Sequence, residues 1–273
     1  MKQDTLTALD FEPSERMPVI STDGANAPGS IAGNPIIEVR GLRKTYTSKK
    51  GGPKKAVDGL DLTIYQGECF AILGPNGAGK STTVEILEGF RKRDAGSVTV
   101  LGEDPNKPSR NWKARIGVVL QDTGDMGDLT VGEVVNATAS YFPNPRNVDE
   151  VITAVGLGEK RNAKLASLSG GQRRRVDVAL GIIGNPELLF LDEPTTGFDP
   201  EVRREFWALI QSLKAEGTTV VLTTHYMDEA SALADRIGVV INGRVAALGT
   251  PESLTGDHAS LEDAYLNLIA QSK

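Results

Sequence analysis

The chain has 273 residues, with 30 Lys and Arg against 36 Asp and Glu, a formal net charge of −6 and a pI near 5.2. That length holds one large domain or two lobes and buries roughly 70–75% of the unfolded surface without staples, while the acidic balance argues against a nucleic-acid footprint, which needs a basic face. A single cysteine, Cys69, excludes an intrachain disulfide and suits a reducing compartment. No stretch has the make-up of a signal peptide or approaches the roughly 20 apolar residues of a membrane span. The expectation is a soluble chain that reaches a membrane only through a partner.

Residues 1–34 are polar and rich in Pro, Gly, Ser and Asp, and read as a disordered extension. Ile36-Ile37-Glu38-Val39 and residues 60–64 (LDLTI) alternate as two strands of an antiparallel pair. Between them, residues 48–55 (SKKGGPKK) read as a solvated basic turn. Tyr46 is an aromatic just before that turn, able to stack on an adenine face; its spacing fits a core or surface tyrosine equally well.

Cys69-Phe70-Ala71-Ile72-Leu73 is an apolar strand in which Cys69 reads as a buried, unreactive thiol. Gly74-Pro75-Asn76-Gly77-Ala78-Gly79-Lys80-Ser81-Thr82 follows, and then a helical run over 83–88. The pattern G-x-x-x-x-G-K-[ST] between a strand and a helix is a phosphate-binding loop. Backbone amides of residues 77–82 surround the phosphates, Lys80 contacts the β and γ phosphates and Ser81 reaches magnesium.

Residues 116–120 form the next apolar strand, and Gln121 at its end can approach magnesium or an attacking water. Residues 123–168 lack apolar strands and read as a small helical lobe around turns such as Pro143-Asn144-Pro145. Leu168-Ser169-Gly170-Gly171-Gln172 then opens a helix. Its N–H groups and positive helix end make a second anion site, suited to a γ-phosphate. Two phosphate sites for one nucleotide imply a sandwich between chains. Arg173, Arg174 and Arg175 point in different directions around that helix and read as solvated or ion-paired.

Residues 187–193 (ELLFLDE) form a strand ending in two carboxylates, at the end of the sheet where such folds bind ligands. Asp192 can hold magnesium, directly or through water. Glu193 is placed to polarise the attacking water as general base. The strand over 219–224 ends at His225, which reads as a phosphate contact that also orients water. Asn242-Gly243 between residues 236–241 and 244–248 is a hairpin signal, so the sheet is expected to end in an antiparallel edge pair. Leu261, Ala264, Tyr265, Leu268 and Ile269 recur at helical spacing, giving a terminal helix that packs on its own chain. With only two histidines, His225 and His258, and no Cys/His cluster, no zinc site is expected. Apolar strands separated by helices point to an α/β fold with a parallel sheet covered on both faces.

Taken in order, the loop at Gly74, Gln121, the LSGGQ segment, the strand ending at Asp192, Asp199 and His225 resemble the ATP-binding subunit of an ABC transporter. The resemblance covers residues 36–250. The compact lobe, Glu193-Pro194-Thr195-Thr196-Gly197-Phe198-Asp199-Pro200 and Ser260-Leu261-Glu262-Asp263-Ala264-Tyr265 look like the drug-exporter (ABC-2 type) branch. It implies a P-loop NTPase core with a mostly parallel sheet, an antiparallel β subdomain and a helical lobe: an ATP-binding domain over 35–250 and a helical tail over 251–273. It also implies ATP and Mg2+, and a head-to-tail pair of such domains, identical or different. Each ATP then lies between Lys80, Ser81, Gln121, Asp192, Glu193 and His225 of one domain and Ser169, Gly170 and Gly171 of the other. Gly74, Asn76, Gly77, Gly79, Thr82, Gln172 and Asp199 join the nucleotide site, and Tyr46 stacks on adenine. Gln121 links the site to the lobe and to the groove that receives a transmembrane permease subunit. The implied activity is ATP hydrolysis that powers export at the cytoplasmic face of the cell membrane. An importer subunit is a second reading, and a soluble ATP-switched clamp on DNA or ribosomes a third, which the single cassette, short lobe and negative charge argue against. Phe198 and Asp122 depart from the residues frequent in the family, neither in a hydrolytic role.

Overall fold

Cys69, Ala71 and Leu73 are buried in one apolar cluster, while Phe70 and Ile72 between them are buried in another. The same split separates Leu189 and Leu191 from Leu188 and Phe190, and Val220 and Leu222 from Val221. Successive strand side chains point to opposite faces, so strands that are apolar at every position must be covered on both sides. The structure, a computed structural model, describes residues 20–21, 33–48, 51–119 and 127–272.

In chain order the elements are β1 (Ile20–Ser21), β2 (Pro35–Ser48), β3 (Gly51–Tyr65), β4 (Cys69–Leu73), α1 (Lys80–Leu87), β5 (Ala95–Val100), α2 (Arg110–Ala114) and β6 (Ile116–Val119). The helical stretch α3 (Val131–Ala139), α4 (Val148–Ala154) and α5 (Gly170–Ile182) follows, with 3-10 turns at Gly158–Lys160 and Leu165–Ser167. The chain closes with β7 (Leu188–Asp192), α6 (Pro200–Ala215), β8 (Thr219–Thr224), α7 (Met227–Leu233), β9 (Arg236–Ile241), β10 (Arg244–Gly249), α8 (Pro251–Thr255) and α9 (Leu261–Gln271). The main sheet has the order β1-β10-β9-β4-β8-β7-β6, and a second, antiparallel sheet has the order β3-β2-β5. In the main sheet β9, β4, β8, β7 and β6 run parallel, and β10 is antiparallel to β9. This is the expected mixed α/β architecture.

One face of the main sheet packs against residues of α3 to α7 and α9, including Val135, Val151, Ala179, Phe206, Ala230 and Tyr265. The other face packs against α1, Trp112 of α2 and the small sheet, through residues such as Val84, Ile86, Ile37, Val39 and Leu62. Between β6 and α5 the described chain is helical, as expected, and its Val131, Val134, Ile152 and Leu157 share a core with Val176 and Ile183. Leu261, Ala264 and Tyr265 of α9 are buried, while Leu268 and Ile269 pack alongside, so this helix does cover its own chain. Cys69 is buried and unpaired, and burial pushes its thiol far above the ordinary range. No helix among the described residues is long and apolar enough to cross a membrane.

Several expectations are corrected. The stretch read as a basic turn is mostly strand: β2 runs through Ser48 and β3 begins at Gly51, with Tyr46 opposite Lys54 and Thr47 opposite Pro53. Its Gly, Pro and Lys residues carry no apolar alternation, so the pairing of a long two-stranded ribbon overrides local propensity. β5, which extends the small sheet through Val98 opposite Val39, and α2 carried no sequence signal strong enough to be read. The hairpin at Asn242 and Gly243, both at positive φ (51° and 75°), forms as expected. β10, however, is not the edge: Ile20 and Ser21 pair with Ala247 and Leu248. Within the segment read as a disordered extension, that pair of residues is strand and the Asn34 carbonyl accepts from the Gln66 amide at 3.0 Å; the rest, residues 1–19 and 22–32, lies outside the described residues.

Candidate nucleotide site

Residues 74–79 join the C-terminal end of β4 to α1. Gly74 and Gly79 are there because the chain passes too close to its neighbours for a side chain. A Cβ at Gly74 would stand 2.3 Å from the Val240 carbonyl oxygen, and one at Gly79 would stand 2.2 Å from that of Ala56. Gly79 also has φ 105°, a left-handed conformation, and offers α1 no side-chain cap. The first amides of α1 are therefore left for an anion, which the helix dipole favours.

A cleft of about 240 Å³ opens over this loop. It is lined by Tyr46, Lys54, Ala56, Asn76, Gly77, Gly79, Lys80, Ser81, Thr82 and Glu193. The Tyr46 hydroxyl lies 3.3 Å from Thr82 Oγ1, and the Arg91 guanidinium sits 5.3 Å from the centre of the tyrosine ring. Lys80 Nζ donates to the carbonyls of Gly74 (2.8 Å) and Pro75 (3.3 Å) and stands 3.8 Å from Glu193 Oε1. Burial lowers its ammonium pKa, with the carboxylates of Glu193 and Asp192 acting in the opposite sense. A buried ammonium beside the uncapped amides at the start of α1 is complementary to phosphate.

The two carboxylates at the end of β7 diverge. Asp192 turns toward α1: Ser81 Oγ donates to its Oδ1 at 3.4 Å, and the Thr223 hydroxyl donates to the same oxygen. Glu193, at φ 44°, faces the cleft. Its Oε1 is 3.5 Å from His225 Nδ1, and that nitrogen is buried with no hydrogen-bond partner among the described residues. Parallel pairing brings the ends of β4, β7 and β8 to one level, with Leu73 opposite Thr224 and Asp192 opposite Thr223. That alignment gathers Lys80, Ser81, Asp192, Glu193 and His225.

Other expected residues lie elsewhere. Ser169 caps α5: its hydroxyl accepts from the Gln172 amide at 3.3 Å, and the Gln172 side chain accepts from the Ser169 amide at 3.1 Å. Ser169 and Gly170 are exposed, Gly171 and Gln172 half-buried, and none of the four lines the cleft. Asp199 caps α6 by accepting from the amides of Glu201 and Val202 (3.0 and 2.9 Å), also outside the cleft. Gln121 and Asp122 lie outside the described residues. The three arginines are used within the chain: Arg173 donates to the Leu165 carbonyl, Arg174 to those of Asp192 and Pro194, and Arg175 pairs with Glu205.

Two contributors escaped the sequence reading. Lys54 lines the cleft beside Tyr46, its Nζ 3.8 Å from where a Cβ on Gly77 would be. Only the pairing of Tyr46 with Lys54 across the ribbon reveals it. Thr223 fixes both carboxylate residues, donating to Asp192 and accepting from the Glu193 amide at 3.1 Å. It had a signal, a hydroxyl two residues before His225, that apolar patterning does not weigh.

Residues 57–196 match the ABC transporter family. Nod factor export ATP-binding protein I of Ralstonia nicotianae is 41% identical over 232 residues, covering 83% of this chain and 70% of that protein. Daunorubicin/doxorubicin resistance ATP-binding protein DrrA of Streptomyces peucetius is 43% identical over 223 residues, covering 80% of this chain and 66% of that protein. Among solved structures, a dimeric ATP-binding cassette in a post-hydrolysis state with ADP and Pi is similar at a TM-score of 0.71 and 26% identity, over 78% of this chain and 98% of that one. With the phosphate loop, the paired carboxylates and the LSGGQ helix all in the matched segment or its fold, the chain belongs to the ABC transporter family, as an ATP-binding and ATP-hydrolysing subunit.

Proposed function

We propose that this subunit powers export of a substrate through a separate transmembrane permease, at the cytoplasmic face of the cell membrane. The observation that carries the reading is the division of the phosphate-binding elements. Lys80, Ser81 and Glu193 share a cleft, while Ser169, Gly170 and Gly171 stand outside it at the start of α5. Such a site is completed by a second ATP-binding subunit, a copy of this chain or a relative, whose LSGGQ segment closes over the nucleotide. The names of the two relatives, one for Nod factor export and one for drug resistance, support export as the direction.

In this reading the ATP-binding domain spans residues 35–250, with the helical lobe over about 123–168 and the tail over 251–273. Tyr46 stacks on the adenine, the residue 74–82 loop and Lys80 hold the phosphates, and Glu193 accepts a proton from the attacking water. His225, beside Glu193, contacts the γ-phosphate and orients that water. The hard oxygens of Ser81 and Asp192, 3.4 Å apart, fit a magnesium ion, with Gln121 a further ligand. The ion supplies charge neutralisation at the β and γ oxygens. Asp199 and Gln172 contribute from the dimer interface.

The test is to isolate the full chain from gently solubilised native membranes and identify its partners by mass spectrometry. A polytopic membrane protein without a solute-binding protein is the expected result. Recovery with a solute-binding protein would make it an importer, and recovery only with ribosomes or DNA would overturn the transport reading.

A further inference from the structure

Glu193 has a conformation its residue type does not choose. Its φ of 44° lies in the left-handed region, costly for a residue with a Cβ. Leu101, Asn185 and Asn242 share it, and of these the two asparagines are of a type that tolerates it. Such strain persists only where the surroundings over-determine it, and here they act on the peptide unit before the residue and on the one that follows Pro194. The Glu193 amide donates to the Thr223 carbonyl and hydroxyl at 3.2 and 3.1 Å. The Asp192 carbonyl accepts from one terminal nitrogen of Arg174 at 3.0 Å, and the Pro194 carbonyl accepts from Arg174 Nε at 3.1 Å.

Arg174 is buried, 8% exposed, with Asp177 at 3.9 Å. A rigid planar fork that spans two carbonyls sets their spacing, which a single-point donor does not. The same residue belongs to α5, whose N-cap is Ser169. One side chain thus joins the helix that begins with the LSGGQ segment to the backbone that aims Glu193.

We infer that Arg174 is a positioning residue for ATP hydrolysis: it holds the 192–194 backbone so that Glu193 faces the nucleotide cleft, and makes that aim depend on the seating of α5. The inference rests on the reading of Glu193 as general base.

The test uses the full chain, with Arg174→Gln and Arg174→Lys made alone and together with Glu193→Gln. Steady-state ATP hydrolysis and titration with a fluorescent ATP analogue are measured on each. Arg174→Gln is expected to lower kcat by about 10–10²-fold, the scale of a ~1 Å misplacement, while the affinity and stoichiometry of the analogue stay as in the wild type. Arg174→Lys should recover part of the rate. In the Glu193→Gln background the same Arg174 substitutions should change the residual rate by less than about twofold, because residues acting through one another are not additive. A merely structural role would lower the binding stoichiometry or reduce the rate equally in both backgrounds, and either result overturns the inference, as does a wild-type kcat in folded Arg174→Gln. If the Gln variant does not fold, the Lys variant decides on the same two readouts. Should Glu193→Gln itself leave hydrolysis unchanged, the general-base reading fails and this inference falls with it. A slow Glu193→Gln beside an unaffected Arg174→Gln removes the inference alone.

Discussion

His225 Nδ1 and Glu193 Oε1 stand 3.5 Å apart at the ends of adjacent parallel strands, and the same carboxylate oxygen is 3.8 Å from Lys80 Nζ. In the proposed reading, this carboxylate takes a proton from water while the imidazole and the ammonium beside it hold the phosphate that receives the attack. Glu193→Gln is therefore expected to slow ATP hydrolysis by roughly 10²–10⁴-fold, the usual contribution of a general base, and to retain ATP binding. A phosphate-release assay beside a fluorescent-analogue titration checks both parts, and full activity would remove Glu193 from the role.

Lys80→Ala should behave differently. Its ammonium already caps the Gly74 and Pro75 carbonyls, so its loss removes charge and loop support together. Nucleotide binding should weaken by about tenfold or more, the scale of a charge-assisted contact of ~1.5–3 kcal/mol. Unchanged analogue affinity would contradict this.

Lys54 is the milder case, because it is itself exposed where it lines the cleft. Lys54→Ala should weaken ATP binding about two- to fivefold, as fits an exposed charge contact worth under ~1 kcal/mol, and leave adenosine binding unaltered. The difference between the two proteins should shrink as salt is raised. An equal loss for adenosine would mean that Lys54 supports the ribbon rather than the phosphates.

Gly79→Ala tests the loop itself. The new Cβ would meet the Ala56 carbonyl at 2.2 Å in a residue held at φ 105°. Backbone strain alone costs about 1–3 kcal/mol, so thermal unfolding should begin several degrees lower at ~2–4 °C per kcal/mol, with ATP binding impaired. Gly158→Ala, whose Cβ would meet only Thr153 Oγ1 at 3.7 Å, is the matched control and should change little.

Glu88, next to the end of α1, has its carboxyl pushed up from 4.5 to about 7 by burial, with the charges of Asp192 and Glu85 adding to it. The folded chain then holds a proton that the unfolded chain releases between about pH 4.5 and 7. Stability from this group is present below that window and is lost as pH rises through it. In the nucleotide- and magnesium-free protein, Glu88→Gln should raise Tm at ~pH 8 and have little effect at ~pH 4. An equal shift at both would show that the carboxyl does not titrate in this window.

The phosphate loop, the Asp192-Glu193 pair, His225, the LSGGQ helix and the parallel strands were all legible in the sequence. Each is a local pattern: a run of covalent neighbours whose residue types and spacing suffice for one backbone shape. Tertiary structure alone decided the rest. The Tyr46–Lys54 pairing depends on the register of a ribbon without apolar alternation, and the cover over β10 on two residues far upstream. The clamp on Glu193 depends on Thr223 and Arg174, 30 and 19 positions away. Burial selects which face of a strand turns inward, and hydrophobicity records that choice along the chain. Which carbonyl a buried guanidinium reaches depends on how α5 packs beside β7, and no spacing along the chain encodes it.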